Sequence, residues 1–170
     1  MLNLRPRFLP VMAALLAAPG LWAGPAVATH IEFAPEVEAQ LKRFGSEEGA
    51  TLRAAIESSV QHATARLDMP KGALVEITLE EVAPTHPTRK QLNENPAQDE
   101  TRTKYLGGAA LVGSVRDGNR QVLARISYRH FAPTLALGSA SLDPWADARL
   151  AIEAFADKLA AACRKTPAQS

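Results

Sequence analysis

The stretch Ala109–Phe131, AALVGSVRDGNRQVLARISYRHF, decides the fold of this chain. It reads as two strands, Ala109–Arg116 and Gln121–Phe131, joined at Asp117-Gly118-Asn119, residues that tolerate the positive φ angles of tight turns. Val122, Ala124, Ile126 and Tyr128 alternate with Arg125, Ser127 and Arg129. Period-two alternation puts the first set on a buried sheet face and the second on a solvated one. Gly113 interrupts the first strand, as at a bulge or a close approach of another group.

Upstream, the same period runs from Ala73, with Val75, Ile77 and Leu79 alternating with Glu76, Thr78 and Glu80. Pro84 and Pro87 close that strand. Before it the period is helical. Pro35 suits the first turn of a helix, Val37, Leu41 and Phe44 form one apolar stripe, and Gly45 stops it. Ser46 is read as the cap of a second helix reaching Asp68, with Leu52, Ile56, Val60, Ala63 and Leu67 on its inner side. Downstream, Thr134–Leu137 is a candidate edge strand. Asp143-Pro144 opens a final helix to Arg164, with Ala148, Ile152, Phe155, Leu159 and Cys163 inward. The expected fold is α+β: one domain, with a small, mainly antiparallel sheet of three to four strands and two to three helices on one face.

The first 28 residues read as a secretory signal peptide. Arg5 and Arg7 form the positive end, an apolar run follows, and Ala26-Val27-Ala28 supplies the small residues needed for cleavage between Ala28 and Thr29. The run is shorter than a spanning helix and carries prolines, so no stable membrane insertion is expected after cleavage. Residues 29–170 form the expected domain, periplasmic or secreted. Losing Arg5 and Arg7 takes two from the 19 Lys and Arg against 18 Asp and Glu, and this balance excludes a general nucleic-acid binder. The lone Cys163 forms no internal disulfide; an odd cysteine in an exported chain invites intermolecular pairing, while its place on the inner helix face fits a buried small hydrophobe.

Residues 83–108 form a long polar loop, and such loops commonly carry recognition. If it folds over the sheet, His86, Arg89, Lys90, Arg102, Lys104 and Tyr105 meet His130 at the strand end, a cluster suited to an anion or carboxylate. His62 reads as solvated, and His30, second after the cleavage site, as at most a weak copper chelator. Neither a metal-ligand spacing nor a cofactor motif is present. Serines lack the contexts of known nucleophiles, so no catalytic residue is assigned.

From Val75 to Leu159 the chain resembles small bacterial envelope proteins of unknown function. The features are the Val- and Ile-rich strand, the long polar loop, Gly107-Gly108-Ala109-Ala110-Leu111-Val112-Gly113, the turn, Gln121-Val122-Leu123-Ala124, and a closing helix opened by Asp143. The resemblance implies an envelope role; the lipid-bearing cysteine of anchored members is missing. The expectation is a non-enzymatic module presenting the loop and the exposed sheet face to a periplasmic partner. The alternatives are a small-ligand, anion or metal-binding protein using His86 and His130, and an unrecognised hydrolase.

Overall fold

The computed structural model describes residues 27–99, 102–134 and 142–165. In chain order the elements are β1 (Ala28–Phe33), α1 (Pro35–Phe44), α2 (Glu48–Thr64), β2 (Leu74–Ala83), α3 (Arg89–Glu94), β3 (Gly108–Arg116), β4 (Val122–Phe131) and α4 (Ala146–Lys165). The strands form one sheet in the order β1-β2-β3-β4. This is the expected α+β arrangement with one difference: the sheet is mixed. β2, β3 and β4 are antiparallel neighbours, whereas β1 runs parallel to β2, with Ala28 opposite Leu74 and Phe33 opposite Leu79. A parallel pair needs a long crossover, and α1 and α2 supply it.

The alternation seen in the sequence sets the faces. Val75, Ile77 and Leu79 are buried and stand in register with Val115, Gly113 and Leu111, which pair in turn with Ala124, Ile126 and Tyr128. Thr29, Ile31 and Phe33 extend these rows onto β1. Against this face lie Val37 and Leu41 of α1, Leu52, Ile56 and Val60 of α2, and Ala148, Ile152, Phe155 and Leu159 of α4, in one apolar cluster. Each of the valine, leucine, isoleucine and phenylalanine side chains contributes roughly 1.5–3 kcal/mol when removed from water. Gly113 has a steric reason to be glycine: a Cβ there would stand 2.6 Å from Phe155 Cζ.

Several boundaries differ from expectation. Ser46 does not cap α2; the cap position is Glu47, which makes no side-chain capping bond. The helix ends at Thr64 rather than Asp68. Thr64 Oγ1 donates to Val60 O at 2.7 Å, and Leu67 N turns back to Thr64 O, which tightens the last turn and leaves Leu67 only partly buried. In the hairpin the left-handed residue is Arg120 (φ 66°), not Gly118 or Asn119. Asp117 Oδ1 explains the shape by accepting from both Asn119 N and Gln121 N at 2.8 Å. Asp143 acts one turn early: its carboxylate accepts from Trp145 N at 2.9 Å, and α4 starts at Ala146. Cys163 is half-buried, and desolvation pushes its thiol above the ordinary range. The signal-peptide residues 1–26, the edge strand proposed at Thr134–Leu137 (beyond Thr134) and the tail from 166 lie outside the described residues.

The long loop is the largest departure. Pro84, Thr85, His86, Pro87 and Thr88 are all buried. Thr85 N donates to Pro144 O, and Thr85 O accepts from Tyr105 N. Thr85 Oγ1 accepts from Asp147 N at 3.0 Å, and Thr88 Oγ1 donates to Phe44 O at 2.6 Å. A capping box between Thr88 and Gln91 then starts the short helix α3. The first part of the loop is thus internal structure, threaded between the end of α1 and the start of α4. Its two threonines are tolerated there because their hydroxyls satisfy backbone groups.

Candidate functional site

The helices cover one face of the sheet, and the other face carries polar rows that cross the strands. One row is His30, Glu76, Ser114 and Arg125; the next is Glu32, Thr78, Val112 and Ser127. With Arg116 and Val122, all of these but Ser127 line a shallow groove of about 370 Å³. Nearer the other end, Glu81, Ala110 and Arg129 stand in register. Arg129 bonds Glu81 at 2.8 Å across Ala110, which explains why that alanine is buried on an otherwise open face.

Glu76 is the organising group of the groove. Arg116 Nε donates to its Oε2 at 2.6 Å and Ser114 Oγ to the same oxygen at 3.1 Å. The Arg116 hydrogen bond first, and the Ser114 bond second, hold the Glu76 carboxyl below its ordinary value of 4.5. A carboxylate so stabilised is a weak base, and Ser114 gains no activation from it. His30 is turned to Glu32, with Nε2 3.0 Å from Oε1. The side chain of Arg125, opposite Ser114, has neither an ion pair nor a hydrogen bond among the described residues.

Glu76 makes pH dependence testable. Its folded pKa lies below the unfolded one, so the stability it contributes is present above about pH 4.5 and is lost as pH falls through the lower folded value. Glu76→Gln should therefore be less stable than wild type near neutrality, with the gap closing on acidification. Melting temperatures of both proteins from pH 7 down to about pH 3 check this, and a gap that stays constant refutes it.

The cluster expected from the loop is not assembled. His86 is fully buried, and neither ring nitrogen has a hydrogen-bond partner. His130 is exposed, opposite Ala109 near the end of β4. Lys90 donates to Lys42 O at 3.1 Å and pairs with Glu94 at 3.7 Å. Arg102 pairs with Asp99 at 3.6 Å, Tyr105 OH accepts from Gln98 Nε2 at 3.2 Å, and Lys104 is also engaged. Arg89 is exposed at the start of α3. His62 is exposed as well, beside the α2–α4 groove. Among the described residues no three His, Cys, Asp or Glu side chains are placed to hold a metal ion, and no helix is long and apolar enough to cross a membrane.

His86 carries a prediction of unusual sign. A buried donor or acceptor without a partner costs about 1–3 kcal/mol, and an apolar group of similar shape avoids that cost. Both His86→Leu and His86→Met are expected to stabilise the domain by about 1–3 kcal/mol. Urea midpoints at constant m-value provide the measurement; a loss of stability in both variants overturns the expectation.

What sequence reasoning missed was the groove. The outward set Arg125, Ser127, Arg129 was visible as a solvated sheet face, and so were Glu76 and Thr78. Sequence alone gives His30 no role beyond a weak terminal chelator, because the short run before Pro35 carries no clear strand signal. Register across four strands then decides which of these groups meet, and alternation along one strand carries no such information. No protein family, curated protein or solved structure matches this chain.

Proposed function

We propose that this chain is a non-enzymatic interaction module of the bacterial envelope that docks a protein partner on the uncovered face of its sheet. The observation that carries the reading is the one-sided fold: α1, α2 and α4 close one face, while the other presents four strands of polar and charged side chains around the Glu76–Arg116 pair. The envelope assignment rests on the leader pattern of residues 1–28. The loop contributes less than the sequence implied, since residues 84–88 are buried.

The test is site-specific photo-crosslinking in cells. A benzophenone side chain at Thr78 or Ser127, on the open face, is expected to give a discrete protein adduct. The same group at Glu57, exposed on α2, is expected to give none. Adducts from both faces alike, or from neither, would overturn the reading.

A further inference from the structure

The charges of the open face are divided by strand. Its acids stand on β1 and β2, as Glu32, Glu76 and Glu81, and its arginines on β3 and β4, as Arg116, Arg125 and Arg129. Two opposite pairs close within the chain, Glu76 with Arg116 and Glu81 with Arg129. Apart from the exposed Glu80 at the irregularity of β2, one charge is left over on each edge strand. Among the described residues Glu32 has only the His30 ring and the side chain of Arg125 has no partner.

We propose that the partner of this face is a second copy of the same chain, in a two-fold, face-to-face dimer closed by Glu32 of each copy on Arg125 of the other. The proposal rests on the reading of the open face as a docking surface and names what occupies it. A two-fold contact requires a self-complementary patch. With the axis in the interface, parallel to the strands and between β2 and β3, β1 lies over β4 of the other copy and β2 over its β3. The acidic half of each sheet then covers the basic half of the other. An in-plane axis across the strands would instead set Glu32 against Glu32 and Arg125 against Arg125, a like-charge contact.

The distances suit such a pairing. Glu32 and Arg125 occupy neighbouring rows, about 7 Å apart along the strand, and face-packed sheets stand about 10 Å apart. An extended arginine spans the offset. The face measures about 19 Å across four strands by about 30 Å along them. That is roughly 550 Å² per copy, at the low end for specific interfaces. The expected dimer is therefore weak and sensitive to salt, because its bridges are exposed.

Sedimentation velocity of the full chain tests this, over a concentration series at low and high salt. Wild type should pass from monomer to dimer in the micromolar range at low salt and shift back at about 0.5 M salt. Arg125→Glu and Glu32→Arg should each weaken association at least about tenfold, through like charges set face to face. The double variant, with both charges exchanged, should recover to within about threefold of wild type. Both residues are exposed on edge strands, and circular dichroism melting confirms that the variants are folded.

A wild-type chain monomeric throughout, a dimer indifferent to either single reversal, or a double variant as weak as the singles would overturn the dimer. The crosslinking experiment separates this failure from that of the docking reading. Adducts from Ser127 to a different protein, with a monomeric chain, would remove the second copy and keep the docking face. Adducts between two copies of this chain support the dimer.

Discussion

Trp145→Ala is expected to lower the unfolding free energy by about 3–5 kcal/mol, a large part of the stability of an ordinary domain. Trp145 is 1% exposed although it lies just before α4. Its ring meets that of Phe44 edge-on at 5.7 Å, and its Nε1 donates to Glu48 Oε2 at 2.5 Å. One side chain thus joins the end of α1, the start of α2 and the start of α4. Truncation opens a cavity among the three and loses an aromatic pair worth about 0.5–1.5 kcal/mol beyond its buried area. Trp145→Phe keeps most of the apolar volume, loses the hydrogen bond, and should cost only about 1–2 kcal/mol. Urea unfolding followed by circular dichroism gives both numbers, and an alanine variant within about 1 kcal/mol of wild type would refute the argument.

The second large effect centres on Phe155 and Gly113. Phe155 is fully buried on α4, and its ring tip occupies the space that a side chain at Gly113 would need. Phe155→Ala should cost about 3–5 kcal/mol through the cavity it leaves. Gly113→Val should cost about 1–3 kcal/mol through overpacking. Combined, the valine enters the space the ring has vacated, so the double variant should be better than the sum by at least about 1 kcal/mol. Strict additivity would show that the ring and the glycine do not share that space. This contact sets how closely α4 approaches the middle of the sheet, on the side opposite the groove.

The parts of the fold that were legible in the sequence are those in which one segment buries one face. Val75, Ile77 and Leu79 on β2, the hairpin from Ala124 onward, and Ile152, Phe155 and Leu159 on α4 each show the period of their element, because burial acts on every second or every third to fourth residue. Val122, expected on the buried face, is instead exposed in the groove because the register shifts between Val115 and Arg116. Residues 84–88 were not legible for the opposite reason. Thr85 and Thr88 are polar in composition, yet they are buried because each hydroxyl finds a backbone partner far away in sequence, Asp147 N for one and Phe44 O for the other. No local pattern encodes such a partner. His86 looked like a surface ligand on composition alone and is internal.

The site divides in the same way. The outward direction of Arg125 and Arg129 follows from alternation, and both are exposed on β4. That Arg129 has Glu81 and Arg125 has no carboxylate depends on the register of β2 against β3 and β4, including the irregularity between Leu79 and Glu81. β1 was missed because its first residue, Ala28, coincides with the expected cleavage site, and the short run to Phe33 offers little alternation to read. With it went the acidic edge of the face.

The parallel pairing of β1 also has a meaning in time. A chain is made from its N-terminus, and Thr29, Ile31 and Phe33 emerge before β2, the strand they join. Their register partners Val75, Ile77 and Leu79 come only after both α1 and α2. The hairpin β3–β4, by contrast, has both halves within one short stretch and can close as soon as they appear. β1 is therefore without β2 for the whole synthesis of the two helices between them, and its core-facing side chains wait through that interval for the strand beside which they are buried.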